Sequence, residues 1–424
     1  MTRLLVIMGS GETTPTMVTP HQRVLARLGD ELDAVLLDTP YGFQENADDI
    51  TERALAYFRR NVGHEVRAVS LRRAGQDALS EEAALADLRA ADWVFAGPGS
   101  PSYVLRQWRD TAVPEVLRGK LRDGGALVFA SAAACVVGRR AIPVYEVYKV
   151  GEEPHWLEGL DLVSVLDLKA VVIPHYDNAE GGTHDTRYCY LGERRLQALE
   201  TALDADEWIL GVDEHTAVVI HADTGRVELE GRGGLTVRTR DGSRRWEAGE
   251  ELTLEALRAA AAGRPHDGTP ATVAGAPDRP TLAPDRTPFL EEVDGLRQRF
   301  DAALKDGDAL GAGQATLELV AAIRAWSSDT EQSDQMDRAH GALRQMVVQL
   351  ARIADAGLHD HGDVVAPFVD TLLEVRDDAR AQQRFDLADA IRDRLTASEV
   401  EIHDTEHGTH WHYGPEHDPD RDAH

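Results

Sequence analysis

The stretch Gly124-Gly-Ala-Leu-Val-Phe-Ala-Ser-Ala-Ala-Ala-Cys135 decides the fold. Its first half is an unbroken apolar run, the composition of a strand covered on both faces in a parallel sheet. Its second half is small, helix-favouring residues, so the chain turns from strand to helix at Ser131. Such a switch projects a hydroxyl at the strand's carboxyl end, in the crevice where open α/β sheets place ligands. The N-terminus of the following helix offers free N–H groups to a developing oxyanion. A serine that merely caps the helix has the same local pattern, so a nucleophile here needs support from elsewhere in the chain.

Outward from this stretch, Leu4–Met8, Ala34–Leu37, Val66–Leu71, Trp93–Ala96 and Val171–Ile173 are further short apolar runs closed by Gly, Pro or Asp. Amphipathic segments lie between several of them, such as His21–Leu32, Ala47–Val62 and Glu81–Ala91. The alternation predicts βαβ units in a mostly parallel, doubly wound α/β sheet. From Trp208 to Trp246 the pattern changes to hairpins with turns at Asp223-Thr-Gly225 and Asp241-Gly-Ser243, read as an antiparallel extension at one edge of that sheet. Residues 262–287 are Pro, Gly, Ala and Thr with almost no large apolar side chain, and read as a linker. Phe289–Asp306, Ala309–Trp326, Gln335–Ala356, Val364–Gln383 and Asp386–Ala397 read as amphipathic helices. The expected organisation is an α/β domain over 1–261, the linker, a C-terminal all-α bundle over 288–413 and an acidic, His-containing tail over 414–424.

The 424 residues carry 45 basic and 74 acidic side chains, a net charge of −29, which argues against non-specific nucleic-acid binding. Cys135 and Cys189 cannot make a disulfide framework. The apolar run at the start is too short for a signal peptide, and nothing approaches the 18 apolar residues of a membrane span. A soluble, cytoplasmic protein with no membrane partner is expected. Gly9-Ser-Gly-Glu-Thr13 follows the first strand and could cradle an anion, but it lacks the full dinucleotide fingerprint and Glu12 would repel phosphate. His403, His407, His410, His412, His417 and His424 crowd the C-terminus and suggest weak, adventitious metal binding only. No cofactor and no dedicated metal site are expected.

Two other strand ends bear on Ser131. Trp93–Ala96 opens into Gly97-Pro-Gly-Ser-Pro101, where glycines let backbone approach a ligand. Val171–Ile173 ends at Pro174-His175-Tyr176, which places an imidazole at a carboxyl end expected in the same sheet. A Ser, a His and a Gly-rich donor loop leaving strands on one edge are the parts of an acyl-transfer site. With these motifs, and with Gly181-Gly-Thr-His-Asp-Thr-Arg187 and Gly211-Val-Asp-Glu-His-Thr-Ala217, residues 1–250 resemble the peptidase E and cyanophycinase family of serine hydrolases, whose fold is like that of class I glutamine amidotransferases. The resemblance implies Ser131 as nucleophile and His175 as general base. It places the acid about fifteen residues after the nucleophile, at Glu146, with Glu214 as a second candidate. Oxyanion donors would be the N–H of Ala132 and one from Gly97 or Gly99, since Pro98 has none.

Phe129 and Ala133 stand where the family has glycine, which predicts a blunter turn or a smaller pocket, with Phe129 closing off substrate space. Cys135 reads as a core thiol. His184 and Arg187 could meet an acidic substrate group or form a solvated loop. Residues 288–413 resemble the C-terminal helical domain of cysteinyl-tRNA synthetase, most clearly through Phe385, Ala388, Asp389, Ile391, Arg392, Asp393, Leu395, Asp404, Thr405, Gly408, Thr409 and Trp411. Yet residues 281–424 hold 14 Arg/Lys against 30 Asp/Glu, a net of −16, where an RNA backbone needs a positive track. The expected function is a serine hydrolase that cleaves a small peptide or related amide, with the resemblance suggesting an acidic, Asp-type residue. The alternatives are a catalytically silent binding or regulatory protein, and a hydrolase of aminoacyl-tRNA held by the C-terminal domain. Self-association into a homo-oligomer is compatible with either domain.

Overall fold

The computed structural model describes residues 2–29, 31–75, 77–181, 184–264, 288–329, 335–358, 361–405 and 408–414. The linker proper and the tail beyond Gly414, with His407, His417 and His424, lie outside the described residues.

Five strands run parallel: β1 (Arg3–Met8), β2 (Ala34–Leu37), β3 (Arg67–Val69), β4 (Trp93–Ala96) and β5 (Gly125–Ala130). A short ribbon follows, β6 (Arg140–Ala141) with β7 (Leu157–Glu158). Then come β8 (Ala170–Ile173), β9 (Trp208–Val212), β10 (Thr216–His221), β11 (Arg226–Gly231), β12 (Gly234–Thr239), β13 (Gly242–Glu247) and β14 (Glu251–Thr253). The main sheet has eight strands in the order β14-β11-β10-β1-β5-β4-β2-β3, parallel from β1 to β3 and antiparallel on the other side. Both predicted hairpin turns fall where expected, between β10 and β11 and between β12 and β13.

One expectation needs correction. The strand that leads to His175, β8, belongs to a second, four-stranded sheet in the order β13-β12-β9-β8. The hairpin region is therefore shared out: β10 and β11 extend the main sheet beside β1, whereas β9, β12 and β13 build the second one. Asp213–His215, the turn between β9 and β10, carries the chain from one sheet to the other.

β1 and β5 explain why the core has two faces. Leu5, Ile7, Leu127 and Phe129 pack into one cluster, while Leu4, Val6, Met8, Ala126, Val128 and Ala130 pack into another. Side chains at alternate positions point to opposite faces, and helices cover both. Every side chain of β5 is buried, as its unbroken apolar composition requires. Burying one large aliphatic side chain contributes about 1.5–3 kcal/mol, so each of these two strands contributes strongly to the stability of the sheet.

The chain forms two compact units, Met1–Leu296 with Leu317–His340, and Arg297–Thr316 with Gly341–His424. The boundaries between the units lie within helices Pro288–Lys305, Ala309–Trp326 and Gln335–Leu358. The second unit is not purely helical. Val400–Thr405 and Gly408–Tyr413 form an antiparallel hairpin whose Val400 and Ile402 join Val369, Leu373 and Leu395 in a small core. No helix among the described residues is long and apolar enough to cross a membrane.

Candidate active site

Ser131 follows β5 directly and opens the helix Ser131–Val136. Ala130 is still extended, with φ −125° and ψ 152°, and Ser131 then turns to φ 48°. A non-glycine residue in the left-handed region costs about 1–2 kcal/mol, so the sharp elbow is kept without the family's glycines. Phe129 does not reach the substrate space as expected. It is fully buried and tilted against Trp108 with centroids 6.3 Å apart, on the core face of β5.

Ser131 Oγ lies 2.9 Å from His175 Nε2, and His175 Nδ1 lies 2.8 Å from Glu214 Oε1. A carboxylate only accepts, so Nδ1 carries the proton and Nε2 accepts from the serine hydroxyl. Asn178, fully buried, donates to the same Oε1 at 2.9 Å, and the Glu214 N–H donates to Asp177 at 2.8 Å. Burial would raise the Glu214 carboxyl, but the hydrogen bond from His175, the charge of that imidazole and the bond from Asn178 together hold it below the ordinary carboxylate value. His175 also has a left-handed backbone, φ 49°. Its peptide is held on both sides, its N–H on Gly9 O and its carbonyl by the N–H of Cys189 at 3.0 Å.

Glu146 is placed elsewhere. It starts a π-helical turn over Glu146–Val150, and its Oε2 accepts from Ser102 Oγ at 2.9 Å. Of the two carboxylates expected, the turn after β9 brings Glu214 to His175, and Glu146 stays on the Ser102 side. The sheet crossover at Asp213–His215 is the reason: it delivers the carboxylate from the second sheet to the edge of the first.

Around Ser131 opens a cavity of 330 Å3 lined by Gly99, Ala132, Tyr148, Lys149, His175, Glu180, Cys189 and Tyr190 among others. Gly99 and Ala132 thus line the space beside the hydroxyl. Gly97 does not line it, and its carbonyl accepts from the Ala133 N–H at 3.2 Å. Gly99 must be glycine: its φ is 141°, and a Cβ there would lie 2.0 Å from Pro40 O. Cys135 is buried and hydrogen-bonds with Cys189, whose thiol this contact and burial push well above the ordinary range.

Arg187, expected at the substrate, is committed to Asp185 through bonds of 2.9 and 2.8 Å and does not line the cavity. Asp185 in turn accepts the Glu193 N–H at 3.0 Å, so this pair fastens the loop to the following helix. His184 is exposed and does not itself line the cavity, but it stacks on Tyr148, which does. Lys149, Glu180 and Asn178 were not anticipated; Asn178, three residues after His175 in a polar segment, gave the clearest signal. The Gly9–Thr13 loop is packed shut, with Gly11 against the His215 ring and Glu12 buried, so no anion cradle forms. Among the described residues no group of His, Cys, Asp and Glu is arranged to hold a metal.

Residues 5–227 match peptidase family S51, which is more than half the chain. The chain belongs to that family. It is a serine peptidase by this membership, and the S51 match ends just inside β11. Two solved structures are similar: a peptidase from an acI-B1 actinobacterium, with 18% identity, 60% of this chain and 97% of that chain covered and a TM-score of 0.48, and a peptidase E protein of Listeria monocytogenes EGD-e, with 14% identity, 55% and 99% covered and a TM-score of 0.38. The C-terminal helical region is similar to a cysteine–tRNA ligase of Cereibacter sphaeroides, 34% identical over 129 residues. That similarity covers 30% of this chain, which spans about a quarter (24%) of the ligase's length.

Proposed function

We propose that this S51 peptidase hydrolyses small peptides with a free amino terminus and an acidic residue, using Ser131, His175 and Glu214. The observation that carries the reading is the continuous hydrogen-bonded chain Ser131–His175–Glu214 opening on the cavity. Ser131 Oγ attacks the scissile carbonyl while His175 Nε2 takes its proton, and Glu214 holds the tautomer and steadies the imidazolium. The imidazolium then protonates the leaving amine, and water attacks the acyl-enzyme by the same route in reverse. The N–H groups of Ala132 and Gly99 are the candidate oxyanion donors, since both residues line the cavity beside Ser131; each such donor is worth roughly 10²–10³ in rate.

The cavity supports the substrate class by size and charge. It falls at the small end of ligand pockets, about 300–1,000 Å3, which suits a dipeptide better than a folded chain. Glu180 is a carboxylate suited to an α-ammonium, and Lys149 a cation suited to an acidic side chain. The tyrosines at 148 and 190 give the walls apolar area with polar tips. Incubating a dipeptide library with the wild type and Ser131→Ala, read by mass spectrometry, tests this. Cleavage of acidic dipeptides by the wild type alone is expected; cleavage by both, or of neutral peptides only, refutes it.

A further inference from the structure

The turn that carries Glu214 is gripped from within the S51 match and from a helix beyond it. His215, next in the chain, is 8% exposed and adopts φ 51°, a conformation a β-carbon disfavours. Three contacts hold it there. Its Nδ1 lies 2.9 Å from Thr16 Oγ1, and its ring fills the space left by Gly11, where a Cβ would sit 2.2 Å from Nδ1. On the other side Trp326 meets the ring edge-on, with centroids 5.8 Å apart at 75°. Trp326 is itself fixed by stacking on Phe289, centroids 5.2 Å apart, and by donating to Glu292 at 3.0 Å. Phe289, Glu292, Trp326 and the whole 213–216 turn belong to one compact unit. The backbone of the turn is pinned as well, since the Arg232 N–H donates to His215 O at 3.0 Å and Thr216 Oγ1 donates to Glu214 O at 3.0 Å.

We propose that Trp326 and His215 are positioning residues of the peptidase: the indole clamps the His215 ring, the ring fixes the left-handed turn, and the turn aims Glu214 at His175. Segments beyond the S51 match thereby become part of the support of its active site. Burial drives the His215 imidazole down to about 4, so at neutral pH the ring is uncharged and does not draw Glu214 away from His175. A rigid second layer of this kind matters because an ångström of misplacement at a reacting group can cost about 10²-fold in rate.

The proposal rests on the triad reading, and the test separates the two. The readout is the second-order rate of Ser131 labelling by a fluorophosphonate in the full-length chain, followed by intact mass, which needs no knowledge of the substrate. Absence of labelling in the wild type removes the triad reading and this inference with it. With labelling established, Trp326→Ala and His215→Asn are each expected to slow it about 10-fold, Asn being a residue that tolerates the left-handed backbone. The double variant should label no more slowly than His215→Asn alone, because the two act in series, and Trp326→Phe should restore most of the rate. Wild-type rates in folded Trp326→Ala, or multiplied losses in the double variant, overturn the proposal. If Trp326→Ala does not fold, Trp326→Leu takes its place in the same cycle, with the same outcomes.

Discussion

Replacing Glu214 by Gln, beside Glu146 by Gln, separates the two carboxylates that the sequence left open. In the structure Glu214 Oε1 sits 2.8 Å from His175 Nδ1 and also accepts from Asn178, whereas Glu146 accepts from Ser102. The loss at Glu214 can be worked from this geometry. With the two charge centres about 4 Å apart and an effective dielectric constant of about 20, removing the carboxylate charge costs the imidazolium about 4 kcal/mol. At about 1.4 kcal/mol per decade that is about 10³ in rate. If the Gln amide turns its NH2 toward Nδ1, the imidazole is forced into the tautomer whose Nε2 cannot accept the serine proton, and the loss approaches about 10⁴. Glu146→Gln gives up one hydrogen bond from a hydroxyl, worth about 0.5–1.5 kcal/mol of stability, and should leave the chemical step within about threefold. Fluorophosphonate labelling and turnover of an acidic dipeptide measure both variants, with circular dichroism to confirm folding. A Glu146→Gln loss above about 10² alongside a Glu214→Gln loss below 10-fold would refute the assignment.

Gly99→Ala brings a Cβ to 2.0 Å from Pro40 O at a φ of 141°, so the loop must move; kcat should fall about 10–10²-fold as the oxyanion donor shifts, with near-normal KM. Arg187→Gln should leave KM for acidic dipeptides within about threefold, because the guanidinium is spent on Asp185. The same variant tests a pH effect. The hydrogen bond from Arg187 lowers the Asp185 carboxyl from 3.8 to about 2, so its contribution to stability is present above about pH 4 and is lost as the pH falls toward 2. The side chain is 37% exposed, so after screening the contribution is on the order of 1 kcal/mol; urea unfolding at pH 6 and pH 2 should show a wild-type advantage that disappears at the lower value. Lys149→Met should raise KM about 10-fold for acidic dipeptides and leave neutral ones unchanged; equal effects on both would remove Lys149 from substrate recognition.

What the sequence made legible was whatever a single strand or helix determines. The apolar run ending at Ser131, the hairpin turns at Asp223 and Asp241 and the helix at Ala309–Trp326 all depend on local composition, and all appear as read. The site was half legible for the same reason. Ser131 and His175 sit at the ends of their own strands, so their placement follows from strand boundaries. Glu214 sits in a turn between two different sheets, and its proximity to His175 is a product of that crossover, which no local pattern encodes. The family resemblance favours Glu146 instead. Phe129 is a similar case: comparison with the family's motif shows a missing glycine, while the alternation of β5 sends the ring into the core and leaves the backbone strain to Ser131 itself. The charge of Arg187 suggests a substrate partner, whereas Asp185, two residues away, occupies the guanidinium.

The likeness of the second unit to a cysteine–tRNA ligase can be weighed by asking what its shared residues touch. Asp404 accepts from Arg376 at 2.9 and 2.6 Å, from Arg380 at 3.1 Å and from Thr409 at 3.0 Å. Arg376 is 3% exposed, and the pair holds the Asp404 carboxyl well below its ordinary value. The Trp411 indole donates to Asp370 at 2.9 Å, and Leu395 joins Val400 and Ile402 in the core. Asp404, Thr409, Trp411 and Leu395 are thus occupied in joining the hairpin to the helices, which is architecture any user of this bundle would need. Other matched residues, among them Phe385 at 59% exposed, Asp389, Arg392 and Asp393, lie on the surface, so only part of the shared motif is accounted for by packing. The net charge of −16 over residues 281–424, with 14 basic against 30 acidic side chains, works against an RNA backbone, whose affinity rests on neutralising phosphates.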